Sequence, residues 1–102
     1  MKKIRVIVKR PLDIVGHEDR IPNDDKAISE IVGGNIETVP IGKGIAILCN
    51  EDGKLLGLPH NCDLFRMNLV GTLIFVGIND QGYTDYPGDI NHFRKYILGG
   101  DL

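Results

Sequence analysis

The chain reads as an α+β fold: a small, mostly antiparallel β-sheet with two short helices on one face, in the order β-α-β-β-(β)-β-α. Three observations predict it. Residues 3–10 alternate apolar and charged side chains with a period of two, as a half-buried strand does. The run from Val70 to Ile78 is apolar on both faces, as the centre of a sheet or a subunit interface requires. Two further segments carry apolar residues at helical spacing between an acidic cap and a pair of glycines. With no repeat, low-complexity tract or linker, residues 1–102 are expected to form one domain.

The elements follow in order. In the first strand Ile4, Val6 and Val8 point one way and Lys3, Arg5 and Lys9 the other, with Ile7 the exception. That predicts a cationic outer face, free for water, a ligand or a second subunit. Pro11 ends the strand, and Leu12 to Pro22 reads as a loop. Asn23-Asp24-Asp25 caps a helix bearing Ala27, Ile28, Ile31 and Val32, stopped by Gly33-Gly34. Asn35 to Ile41 and Ile45 to Asn50 form a hairpin about Gly42-Lys43-Gly44. Asn50 to Lys54 is a tight turn in which Gly53 is expected to take a positive φ, and Leu55 to Leu58 can continue as a short strand. Pro59 to Asn68 is expected to be irregular, with one helical turn at Asp63 to Met67. Asn79 to Gly88 is a turn-rich loop. Asp89 then caps a helix with Ile90, Phe93 and Ile97 on one stripe, ended by Gly99-Gly100.

Composition narrows the function classes. Apolar residues are 42 % and charged residues 25 % of the 102, an ordinary globular balance. No apolar run approaches the roughly 20 residues that span a bilayer, and the opening stretch is too short for a signal peptide. A cytoplasmic protein with no membrane partner is therefore expected, in a host-cell cytoplasm if the chain is phage-encoded. Cys49 and Cys62 suit a reducing compartment better than a disulfide scaffold. A net charge of −2 argues against nucleic acid as a partner. Five of the first ten residues are nonetheless basic, which reads equally as a site for a small anionic ligand and as a solvated edge strand whose lysines discourage aggregation. Because Val70 to Ile78 is apolar on both faces, a homo-oligomer covering the sheet is expected.

Motifs for chemistry are few. Cys49, His60, Cys62 and Asp63 include zinc-compatible types, but no Cys-x-x-Cys pair accompanies them, so no metal and no other cofactor is expected. Cys62 near His60 lacks a recognisable orienting partner or oxyanion site, so no catalytic residue is assigned and the protein reads as a non-enzyme. Neither Gly33-Gly34 nor Gly42-Lys43-Gly44 has a phosphate-loop frame. What remains is the polar corner from Asn50 to Asn61. Asn50 and Asn61 each carry donors and an acceptor suited to a base edge or ribose, though asparagines more often close turns through their own backbone. Glu51 can accept from hydroxyls, His60 lies in the same corner, and Lys54, Arg66, Arg5 and Lys9 can meet phosphate. Tyr83, Tyr86 or Phe65 can stack on a base. On this reading Asn61→Ala and Arg66→Ala each weaken ligand binding while leaving stability almost unchanged.

Several stretches carry a family resemblance: Glu30-Ile31-Val32-Gly33-Gly34, Ile36-Glu37-Thr38-Val39-Pro40, Cys49-Asn50-Glu51-Asp52-Gly53-Lys54, Leu58-Pro59 with Asn61, and Val70-Gly71-Thr72. In these the chain resembles a family of small phage and Firmicutes proteins known only as domain of unknown function 3846. Cys62 stands where the resemblance leads one to expect a basic residue, so it is given no phosphate contact. The resemblance to phage proteins implies a setting in anti-defence. The leading expectation is a sponge, a small oligomer that sequesters a nucleotide-derived immune signal, cyclic or ADP-ribose-like, without catalysis. The alternatives are a module that inhibits or modulates a host protein and a small nucleotide-processing enzyme.

Overall fold

The computed structural model describes residues 2–99. Along the chain run β1 (Lys3–Lys9), β2 (His17–Pro22), α1 (Asp25–Val32), β3 (Ile36–Gly42), β4 (Ile45–Asn50), β5 (His60–Leu64), β6 (Met67–Val70), β7 (Leu73–Asn79), β8 (Gly82–Thr84) and α2 (Ile90–Gly99). Six strands make one sheet in the order β2-β1-β7-β4-β3, with β8 also on β7, and every pairing is antiparallel. β5 and β6 form a separate hairpin. The α+β class with a mostly antiparallel sheet is therefore what the chain adopts.

Register explains the core. Ile7 and Ile47 flank Phe75 from either side, and Val39 pairs with Ile47, so one apolar row crosses the sheet. Onto that face pack Phe93 of α2 and Leu64 and Leu69 of the β5–β6 hairpin. Phe93 meets Phe75 edge-on at 4.7 Å between ring centroids. The opposite face carries Val6, Val8, Leu48 and Ile74 and is covered by Ile28 and Val32 of α1. The two helices thus lie on opposite faces, contrary to the expectation that both share one. Periodicity shows that a helix has an apolar stripe, not which side of a sheet receives it.

The same arrangement answers the apolar run at Val70 to Ile78. β7 is buried on both faces by elements of its own chain, so its composition no longer calls for a second copy. The run is also broken: Gly71, at φ +73°, separates β6 from β7. The cationic row on β1 is not a free face either. Arg5 pairs with Glu18 at 3.3 Å and donates to the Tyr86 carbonyl, while Lys9 is buried beneath the hairpin.

Three loop expectations give way to strands. His17–Pro22 pairs with β1 along its whole length, and as an edge strand it buries only Ile21, which leaves no alternation to read. Pro59 to Asn68 holds the β5–β6 hairpin in place of a helical turn. Within 79–88, β8 extends β7, and the chain beyond it turns to β1 through Tyr86 N–H donating to the Arg5 carbonyl at 2.7 Å. Conversely, the short strand expected at Leu55 to Leu58 is part of a turn.

The helix ends follow local chemistry. The Asp24 carboxylate accepts from Ala27 N–H at 2.8 Å and Gly33, at φ +83°, closes the other end of α1. Asp89 accepts from His92 N–H in the same way at the start of α2. Ile90, Phe93 and Ile97 all face the core, as the stripe predicts. Of the expected Gly99-Gly100 stop, Gly100 lies outside the described residues. No described helix is long and apolar enough to cross a membrane.

Candidate functional site

A cleft of about 540 Å³ opens between the end of the β3–β4 pair, the 51–58 turn and strand β6. Its wall on β3 and β4 carries Glu37, Val39 and Cys49, and the facing wall carries Met67, Asn68 and Leu69. Glu51, Lys54 and Leu55 line it from the turn and Arg66 from the hairpin tip. The size lies in the range of small-ligand sites, roughly 300–1,000 Å³.

The turn that closes one end is stiff. Gly53 N–H donates to the Asn50 carbonyl, Leu56 N–H to Asp52 and Leu58 N–H to Gly53, at 2.9–3.1 Å. Gly53 sits in a tight space and does not take the positive φ expected from the sequence. A Cβ there would sit 3.0 Å from Val70 Cγ2, and the positive φ in this turn belongs to Gly57 at +69°. The Asn50 carboxamide braces the turn as well, accepting from Asp52 N–H at 2.8 Å and donating to the Val32 carbonyl at the end of α1. That is a structural role, which Asn50 fills while also lining the cleft.

Arg66 is placed by an unusual backbone. Leu64 pairs with Met67, so Phe65 and Arg66 form a two-residue loop, both at positive φ (+49° and +64°). These are the φ signs of a type I′ turn, whose usual residues are Asn-Gly. Phe and Arg take that conformation at a cost of about 1–2 kcal/mol each. Strain of this kind is kept where geometry matters, and here it sets an exposed guanidinium at the rim of the cleft. Neither Arg66 nor Lys54 enters an ion pair among the described residues.

The rest of the expected site is elsewhere. Asn61 is 8 % exposed, and its amide donates to the Lys9 and Gly71 carbonyls at 2.9 and 2.8 Å. Its Oδ1 accepts from Lys9 Nζ at 2.8 Å, with Lys9 itself 3 % exposed. Both amide donors are used internally, so Asn61 and Lys9 form a buried clamp between β1 and the hairpin and do not read a ligand. With these contacts Asn61→Ala is expected to cost stability, where the sequence led to the opposite expectation. His60 sits on the exposed side of β5, bonded through Nδ1 to Asn68 Oδ1 at 2.7 Å and 4.0 Å from Asp63. Arg5 lies at the far edge of the sheet by β2. Of the expected stacking groups, Tyr86 is in the core, Phe65 packs against it, and the Tyr83 hydroxyl bonds Thr38 at 2.6 Å.

The structure therefore brings together Asn50, Glu51, Lys54 and Arg66 and leaves His60, Asn61, Arg5 and Lys9 outside the cleft. Sequence reasoning missed Glu37, Asn68 and the apolar floor. Glu37 shows only as the polar member of an alternating strand, and Asn68 becomes visible once β6 is paired.

A family model matches residues 4–98. The chain belongs to the family described as domain of unknown function DUF3846. No curated protein and no solved structure matches it. For this member of DUF3846, the thiols add a chemical constraint. Burial, reinforced by Glu37, pushes Cys49 in the cleft wall up to about 11. Burial also raises Cys62, against the opposing pull of Lys9. Both therefore hold their protons at neutral pH, whereas a nucleophilic cysteine needs its thiolate.

Proposed function

We propose that the protein binds and sequesters a small nucleotide-derived signalling molecule, cyclic or ADP-ribose-like, without altering it, and so inhibits host antiviral defence as a phage sponge. The observation that carries this reading is Arg66, held at positive φ over an apolar-floored cleft with Lys54 on another wall and, among the described residues, no ion pair for either. An anionic group is what such a pair selects, Arg66 in bidentate fashion and Lys54 as a point charge. Glu37 and Glu51 suit ligand hydroxyls, and Val39, Met67 and Leu69 offer an apolar surface for a ring. The raised thiols speak against a cysteine nucleophile.

The test is depletion and recovery. Purified protein is incubated with cyclic ADP-ribose, ADP-ribose and cyclic di-AMP, filtered, then heat-denatured and filtered again, with mass spectrometry at each step. Sequestration predicts one compound lost from the first filtrate and returned intact in the second. A chemically altered compound, lost on Cys62→Ser or His60→Ala, would establish the enzyme reading instead. No depletion of any compound sinks the nucleotide reading.

A further inference from the structure

Two large apolar side chains, one lining the cleft and the next in sequence, face water. Leu55 is 88 % and Leu56 62 % exposed, and Leu55 itself lines the cleft. They sit on the hydrogen-bonded 51–58 turn, so their positions are set before any contact forms and little ordering entropy opposes docking. The same turn carries exposed charge of both signs, Glu51 and Asp52 followed by Lys54, none of them in an ion pair among the described residues.

We propose that this turn is a two-fold interface, and that a second copy of the chain completes the wall of the cleft. The inference rests on the cleft being the ligand site. A two-fold contact sets one patch against itself and so requires self-complementarity. Leu55-Leu56 against its own copy satisfies the apolar part. Glu51, Asp52 and Lys54 put both signs of charge into one patch, so the patch complements its own copy. A partner of one sign fits less well: an acidic peptide meets Glu51 and Asp52, and a basic one meets Lys54. With its apolar rim turned to water the cleft is open on one side. The second copy excludes water there, which strengthens every charge contact inside.

Leu12 and Ile14, 97 % and 81 % exposed on the loop between β1 and β2, are another exposed apolar pair and do not line the cleft, so they serve as the control. Light scattering on gel-filtered protein is expected to give twice the 11.3 kDa of the chain. The Leu55→Asp/Leu56→Asp variant is expected to raise the dimer dissociation constant about thirtyfold or more, with unchanged circular dichroism and weaker binding of whichever nucleotide probe the wild type retains. The Leu12→Asp/Ile14→Asp variant should remain a dimer. A monomeric wild type, a Leu55→Asp/Leu56→Asp dimer as tight as wild type, or dissociation by the Leu12 and Ile14 changes alone overturns the proposal. A dimer that depends on Leu55 and Leu56 yet binds no nucleotide probe supports the interface while removing the nucleotide reading.

Discussion

Replacing Asn61 by alanine strips three partners at once. The Lys9 and Gly71 carbonyls lose the donors that reach them at 2.9 and 2.8 Å, and the Lys9 ammonium, 3 % exposed, loses its acceptor at 2.8 Å. A buried group left without its partner costs about 1–3 kcal/mol, more when charged. Allowing water to reach one of the three, the change costs about 3–5 kcal/mol, a large share of the roughly 5–15 kcal/mol that holds such a fold together. For a chain of this size each kcal/mol is worth about 4 °C, so the melting temperature should fall by about 12–20 °C. Urea unfolding of wild type, Asn61→Ala, Lys9→Met and the double variant forms a cycle that isolates the ammonium's share. If the orphaned charge dominates, Lys9→Met in the Asn61→Ala background restores about 2 kcal/mol of the loss. An Asn61→Ala cost below about 1 kcal/mol, or a cycle with no coupling, refutes the clamp.

Arg66→Gly relieves the positive φ at the hairpin tip, so it should raise stability by about 1 kcal/mol in urea unfolding while weakening probe binding about tenfold to a hundredfold; loss of both together would mean the strain serves folding. Lys54→Ala should weaken binding by a similar factor, and Lys43→Ala, in the β3–β4 turn outside the cleft, should leave titration calorimetry unchanged. Because Cys49 holds its proton up to about 11 in the fold against 9.0 when free, its contribution is fully present below pH 9 and lost as pH climbs towards 11. Urea midpoints for wild type should therefore fall more steeply over that window than those for Cys49→Ala. Gly77→Ala should prevent stable folding, read as lost chemical-shift dispersion, since a Cβ there collides with the Asp85 carbonyl.

Much of this molecule is legible in one dimension because the causes are local. Asp24 and Gly33 bound α1 through contacts within a few residues, and Ile45–Asn50 is a strand with the limits its apolar run suggests. The Ile90, Phe93 and Ile97 stripe faces the core because a helix of that composition has only one apolar side to bury. Lys54, Arg66 and Glu51 could be named as candidates from residue type and their place in a turn-rich stretch. Tertiary structure alone decided the rest. Which face of the sheet each helix covers depends on the strand order, which period-two alternation does not encode. Asn61 and Lys9 look like ligand groups until a contact spanning 52 positions turns them inward and makes them a clamp. The edge strand His17–Pro22 hides because only Ile21 needs burying, and the hairpin that lifts Arg66 hides because Phe-Arg is the wrong pair for its turn. A polar side chain's role is set by what the fold leaves within hydrogen-bonding distance, and for Asn61 that is the protein itself.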